Sequence, residues 1–365
     1  MEEICREMAS RGMTTPLLVG GAAASALHTA VKLAPLYDHV FYSQDASASA
    51  VLANQLVSDR ENTERLEHKK QEKIRELYTK SSETIKTRTP SKAFDKDSYI
   101  QGMPFPDIPA RVLGIDEVLP FFDWNLFAAI WGITPGKGLD EYRKLRGSAS
   151  DEIERLRKTD GCRITISARF DACHSEGDDI VSKDFRLPMF RQEGEGRSLA
   201  DYVPAEEYGF DSPMGMFAIS VHQTGHESGC DCPACSTEYV NMLSRSVRLT
   251  LAEAASEWLS SELERRIPEG SGAKVSKPAA GYSSCPDHTL KRDILRLLPD
   301  VEKLDIKLLD SCAMIPDATI CGFIFIHPEA GYPEIRRISG EAIDSYASRR
   351  GMTEEEKRQF LGHLL

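Results

Sequence analysis

Beyond residue 160 three segments carry the apolar patterning of a sheet: RITISARFD (163–171), MGMFAISVH (214–222) and TICGFIFIH (319–327). In the first, Ile164, Ile166 and Ala168 alternate with polar neighbours, as a strand with one buried face requires. In the third, Ile320, Gly322, Ile324 and Ile326 fall on one face and Cys321, Phe323 and Phe325 on the other. Both faces are apolar, which predicts a strand covered on both sides. A helical period runs through 139–158, 237–266, 287–300 and 340–350. The closing TEEEKRQFLGHLL opens with a capping box, Thr353 with Glu356. Long stretches, not regular strand–helix–strand units, separate these strands. The expected fold of 101–365 is therefore α+β, an antiparallel-rich mixed domain.

The N-terminal pattern differs. EEICREMASRG reads as a helix ending at Gly12, TPLLVGG as a short buried strand, SALHTAVKLAPLY as a helix capped by Ser25, and HVFYSQDAS as a second strand. This order over residues 1–55 is about half of a flavodoxin-like parallel sheet, and two parallel strands cannot bury both faces alone. The expectation is that the missing strands lie upstream in a longer chain; the alternative is that another element covers this half. One long charged helix spans about 50 to 85 and passes into a Ser/Thr-rich stretch bearing a proline. Residues 56–100 thus read as a helical stem and linker.

A chain of 365 residues suits more than one domain. The formal charge of −12 disfavours a nucleic-acid backbone as partner. No apolar run reaches the roughly 18 residues of a membrane span, and the N-terminus lacks the pattern of a secretion signal. Nine cysteines without a regular framework point to a reducing cytoplasm.

Six stretches carry candidate chemistry, and each has a plain alternative. Gly20 and Gly21 after a strand let a ligand approach the backbone, or simply make a tight turn. Asp123 beside Trp124 is an acid among aromatics suited to a ligand cation; its plain reading, compatible with the first, is the N-cap of a helix through Trp131. Cys230, Cys232 and Cys235, near His222 and His226, have spacing that can chelate zinc, or form a reduced loop. On the helix through 237–266, Val247, Leu251, Ala254, Ala255, Trp258 and Leu259 form an apolar stripe. Glu253 lies opposite, near Ser246, Thr250, Ser256 and Ser260; that face meets a ligand or only solvent. The loop KPAAGYSSCPDHTLK (277–291) fixes its path with Pro278 and Gly281 and offers Tyr282, ahead of a helix begun by Asp287 and His288. FIHPEAGYPEI ends the buried strand with His327, Gly331 and Tyr332. No nucleophile–base pair and no phosphate-binding loop of the Walker type is present. These residues suit holding a ligand better than acid–base chemistry.

In this order the stretches resemble the C-terminal part of cobalamin-dependent methionine synthase. PLLVGGAAASALHTAVKLAPLY and VFYSQDAS are similar to the end of that family's cobalamin-binding domain. DWNLFAAIW, PAAGYSSCPDHTLK, CAMIPDATICGFIFIHPEAGY and YASRRGMT are similar to its S-adenosylmethionine-binding reactivation domain. The resemblance implies a methyltransferase piece lacking the homocysteine and folate modules. Its role would be reductive methylation of cob(II)alamin, served by a flavodoxin-type reductant and an upstream cobalamin domain. It implies that Asp123 meets the amino group of S-adenosylmethionine and that Glu253 matches a helix acid of the family. Lys277 stands where the family carries an arginine for the ligand carboxylate, and Gly281, Tyr282 and Tyr332 complete the wall. It also implies that Gly20, Gly21 and Ala46 line a cavity for the nucleotide tail of cobalamin. The D-x-H-x-x-G stretch that bears the family's cobalt-liganding histidine does not occur in this sequence. The alternative from another class is a zinc-stabilised, non-catalytic interaction module of the same fold.

Overall fold

The structure, a computed structural model, describes residues 1–20, 25–44, 46–86, 94–102, 104–133, 139–159, 161–192, 196–224, 237–336 and 338–364, with backbone alone at 46, 47 and 77–86. The chain divides into two compact units, Met1–Thr89 and Pro90–Leu365. No helix among the described residues is long and apolar enough to cross a membrane.

In the first unit, α1 (Glu2–Ser10) leads to β1 (Leu17–Val19), α2 (Ala26–His28) with a π-helical continuation Thr29–Leu33, and β2 (Val40–Tyr42). Gly12 takes φ +63° just past α1, and the Ser25 side chain accepts the His28 N–H at 3.0 Å. The two strands are parallel, Leu17 opposite Val40 and Val19 opposite Tyr42. Cys5, Val19, Leu33, Tyr37 and Val40 form the core between them and the helices. The charged helix expected from 50 to 85 is two helices, α3 (Ala46–Ser58) and α4 (Arg60–Lys86). The break falls at Asp59, whose carboxylate accepts the Asn62 N–H at 3.3 Å and so starts a new helix.

The second unit is built on an antiparallel sheet. Its elements in chain order are β3 (Ile108–Leu113), α5 (Ile115–Val118), α6 (Trp124–Ile130), α7 (Leu139–Lys158), β4 (Cys162–Glu176), β5 (Asp179–Val181), β6 (Arg186–Pro188) and β7 (Ser212–Gln223). There follow α8 (Glu238–Glu264), β8 (Lys274–Ser276), α9 (Leu290–Leu297), β9 (Lys307–Leu308), β10 (Met314–Ile315), β11 (Thr319–His327), α10 (Gly340–Arg350) and α11 (Glu354–Leu361). The strand order is β6-β5-β4-β7-β11-β8, with β3 on the free edge of β4 and β9–β10 a separate hairpin. The three strands expected from the patterning are thus the adjacent centre of the sheet.

Their alternation sorts the core into two layers. Ile164, Ile166, Phe217, Ile219, Ile324 and Ile326 face α7 and α8, where Leu156, Leu251, Ala255 and Leu259 cover them. Met214, Met216, Ala218, Cys321, Phe323 and Phe325 face the other side, covered by Leu290 and Ile294 of α9 and by Leu199–Val203. A smaller cluster, with Phe190, Ile335, Ile343, Tyr346 and Leu361, ties α10 and α11 to the body.

Two expectations need correction. The helix expected at 287–300 is only Leu290–Leu297, because Asp287 folds its carboxylate onto Thr289 ahead of the first turn. The small polar residues of α8 do not form a solvated face: Ser246, Thr250, Ser256 and Ser260 are buried. The Ser246 and Thr250 hydroxyls donate to Met242 O and Ser246 O one turn back, at 2.7 and 2.9 Å, which lets them enter an apolar contact.

Candidate functional site

The loop 277–291 sits directly on the backbone of β11. Phe323 N–H donates to Pro278 O at 3.0 Å, and Ala280 N–H to Cys321 O at 3.4 Å. Only glycine permits this at 322, since a Cβ there would lie 2.5 Å from Pro278 O. Gly281 adopts φ +96°, and a Cβ on it would lie 2.3 Å from the His288 ring. The tip is closed by Gly281 N–H to Cys285 O at 2.7 Å and Cys285 N–H to Tyr282 O at 2.8 Å.

From behind, the loop is held by one fully buried carboxylate. Asp287 accepts the Thr289 N–H (2.7 Å), the Thr289 hydroxyl (2.8 Å) and the Tyr346 hydroxyl (2.9 Å). Arg350 Nε lies 3.3 Å away, and the same guanidinium reaches Asp293 at 2.8 Å. The Tyr346 ring stacks on Phe190 with centroids 3.7 Å apart. Two residues of α10 thus anchor a loop some sixty positions earlier.

In front of the loop lies a cleft of about 420 Å³, walled by α8, the loop, β11 and the segment carrying Tyr332. From α8, Glu253, Ser256 and Glu257 face it, one helical turn apart. Lys277 enters from the opposite wall with its side chain only 6% exposed. Its ammonium donates to Ser256 O and, at 3.0 Å, to Glu257 Oε1, while its backbone N–H donates to the Tyr332 hydroxyl at 3.1 Å. Desolvation lowers the Lys277 pKa, and the nearby Glu257, Glu253 and Glu264 oppose that shift. Burial among the cleft walls raises the Glu253 pKa although its carboxyl still meets solvent, and Lys277 pulls it back. Tyr282 and Tyr332 stand at the mouth, 71% and 58% exposed. On the lining, the buried Cys321 Sγ lies 3.6 Å from Met314 Sδ. Burial pushes the Cys321 thiol up to about 12, which leaves it inert as a nucleophile.

Of the residues singled out from sequence, Glu253, Lys277, Tyr282 and Tyr332 line this cleft, and Gly281 shapes its wall. Asp123 is not among the lining residues. It is the exposed N-cap of α6, accepting Asn125 N–H at 2.8 Å and Leu126 N–H at 3.1 Å, and α6 packs on α8. Glu257 and Lys291 were not anticipated, and Ser256 was named only as one of the small residues beside Glu253. Glu257 carries a signal in retrospect, lying one turn after Glu253 on the same helix face. Lys291 is drawn inward by Cys312 O at 3.1 Å, a contact that no sequence pattern announces.

The other candidates lie elsewhere. A cavity of about 540 Å³ in the first unit is lined by Tyr42, Ser43, Gln44, Gln55, Lys70 and Gln71, among others. Gly20 is explained by its neighbour, since a Cβ would lie 2.5 Å from Ser43 O. Gly21 is outside the described residues, and Ala46 is the first residue of α3. Cys230, Cys232, Cys235 and His226 also lie outside the described residues. His222 Nε2 meets Leu304 O at 2.9 Å. Among the described residues the ligating atoms of His174, Glu176 and Glu206 come within 4.8 Å of one another. There, however, Arg186 binds Glu176, and His174 Nδ1 lies 2.9 Å from Asp211. His327 stays out of the cleft. It accepts the Glu329 N–H on Nδ1 at 3.0 Å, faces Ser98 Oγ with Nε2 at 2.8 Å, and burial lowers its pKa to about 4. It is a neutral structural imidazole.

The fold, an antiparallel sheet with a two-sided core and a loop-walled cleft, has a solved counterpart. A crystal structure of the MetH reactivation domain bound to AdoHcy matches with a TM-score of 0.66 and 23% identity, covering 75% of this chain and 95% of that one. At that identity the likeness is one of fold. The family follows from the sequence match: residues 114–351 fit the model of the vitamin B12 dependent methionine synthase activation domain. That span is well over half the chain, which therefore belongs to this family. It contains every residue lining the cleft.

Proposed function

We propose that the second unit binds S-adenosylmethionine in the cleft walled by α8 and the loop 277–291. The methyl donor would thereby be held for reductive methylation of cob(II)alamin, with the electron from a flavodoxin-type protein. The observation that carries this reading is the convergence of Glu253, Lys277, Tyr282 and Tyr332 on one cleft in a member of the activation-domain family. Lys277 supplies the cation for the ligand carboxylate. As a point charge it lacks the two-pronged grip of arginine. Glu253 faces the positive end, amino group and sulfonium alike. Tyr282 and Tyr332 flank the ligand with exposed rings, each suited to a cation beside its face.

Cobalamin, when bound, would supply the metal centre for the methyl group. The described residues of the first unit include no imidazole placed by the D-x-H-x-x-G pattern, so no step is assigned to this chain through the corrin. The chain's own contribution is alignment. A sulfonium is already a good leaving group, and fixing it in line can lower a barrier by about 7–11 kcal/mol. That is consistent with a cleft whose one thiol is inert.

Calorimetric titration tests the reading. The intact protein is expected to bind S-adenosylmethionine and AdoHcy saturably, one per chain. Lys277→Ala is expected to weaken both at least tenfold. The absence of saturable binding to the wild-type chain would overturn the proposal.

A further inference from the structure

The cleft presents Lys277 already engaged. Its ammonium has three N–H donors. One goes to Ser256 O within α8 and another to Glu257 Oε1 at 3.0 Å, on a lysine side chain that is 6% exposed. The third remains for an incoming anion. Glu257 itself is held loosely, its side chain 60% exposed, and Lys277 is its only ion-pair partner among the described residues. The other cation on the lining, Lys291, is turned to Cys312 O and His288 Nδ1. A ligand carboxylate therefore has Lys277 to bind, and it must share that charge with Glu257.

We infer that Glu257 is an internal competitor for the anion subsite, setting the affinity of the cleft for carboxylate-bearing ligands by occupying Lys277 when the cleft is empty. This rests on the reading of the cleft as a site for an S-adenosyl amino acid. Two carboxylates meeting one ammonium repel each other at close range, in a cleft where partial desolvation strengthens the effect. The pair also has a use in the empty protein. A buried ammonium without a counter-ion is costly, and Glu257 supplies one until the ligand arrives. An arginine at 277 could hold both carboxylates on separate edges of its guanidinium, whereas a lysine cannot.

The test is Glu257→Gln, which keeps an oxygen acceptor for Lys277 and removes only the charge. Because Glu257 is solvent-facing, the variant is expected to melt with the wild type. AdoHcy carries the carboxylate; 5′-methylthioadenosine shares the nucleoside and thioether but lacks the amino acid. By calorimetry, Glu257→Gln is expected to bind AdoHcy about three- to tenfold more tightly, with 5′-methylthioadenosine unchanged. Unchanged or weaker AdoHcy binding overturns the inference, since Glu257 would then hold Lys277 in place instead of competing for it. An equal gain for both ligands also overturns it, because the effect would not pass through the carboxylate. Failure of the wild-type chain to bind AdoHcy at all is a separate outcome. It removes the functional reading, and the inference with it.

Discussion

Asp287→Ala is expected to destabilise the second unit by about 3 kcal/mol, the order found when one partner of a buried ion pair is deleted. The reason is what remains. The Tyr346 hydroxyl loses its acceptor in a fully buried site, and Arg350, 12% exposed, keeps only Asp293 as an anion among the described residues. Asp287→Asn preserves the shape and can still accept from Thr289 and Tyr346, so it should lose about half as much. Guanidinium denaturation followed by tryptophan fluorescence reads both. A midpoint shift worth less than about 1 kcal/mol for the alanine variant would show that the network is slack.

Gly322→Val is expected to abolish ligand binding while leaving the sheet in place. The new side chain would run into Pro278 O, which the Cβ alone reaches at 2.5 Å, and into Ala279 Cα at 2.9 Å. These are backbone atoms, so the loop must lift off β11 and break the Phe323–Pro278 hydrogen bond. Overpacking of this kind costs about 1–3 kcal/mol in stability, but the larger effect is on the cleft, since Lys277 and Tyr282 move with the loop. A loss of AdoHcy affinity of more than tenfold is expected. Gly331→Ala is the control, because a Cβ there meets nothing nearer than Tyr202 Oη at 3.6 Å. If Gly322→Val binds as well as this control, the seating of the loop on β11 is not what shapes the site.

The centre of the sheet was legible because β4, β7 and β11 are apolar on the faces that meet helices. The doubly apolar register of 319–327 told that β11 is covered on both faces. The edges were not legible. β3 contains Pro109 and exposes half its residues, and β5, β6 and β8 are three residues each, too short to show a period. At the site, Asp123 carries two compatible readings that its sequence does not separate. It caps α6, and that role by itself neither requires nor bars a ligand contact. The partnership of Lys277 with Glu257 was hidden for a related reason. A charged residue on a helix usually faces water, and only the path of β8 brings Lys277 across the groove from α8. The break at Asp59 followed from a cap inside a run whose composition is helical throughout.

The lining of the cleft ends at Tyr332, yet the wall is kept in shape by residues that come later. Tyr346 and Arg350 touch no part of the groove, and they are the rear fastening of the loop that does. A polypeptide shortened just before Ser339 would retain every side chain lining the cleft and still be unable to hold them in register. The smallest piece worth producing as an isolated binding module must therefore run through the terminal helices, and damage there should present as a recognition defect with no mutated contact to account for it.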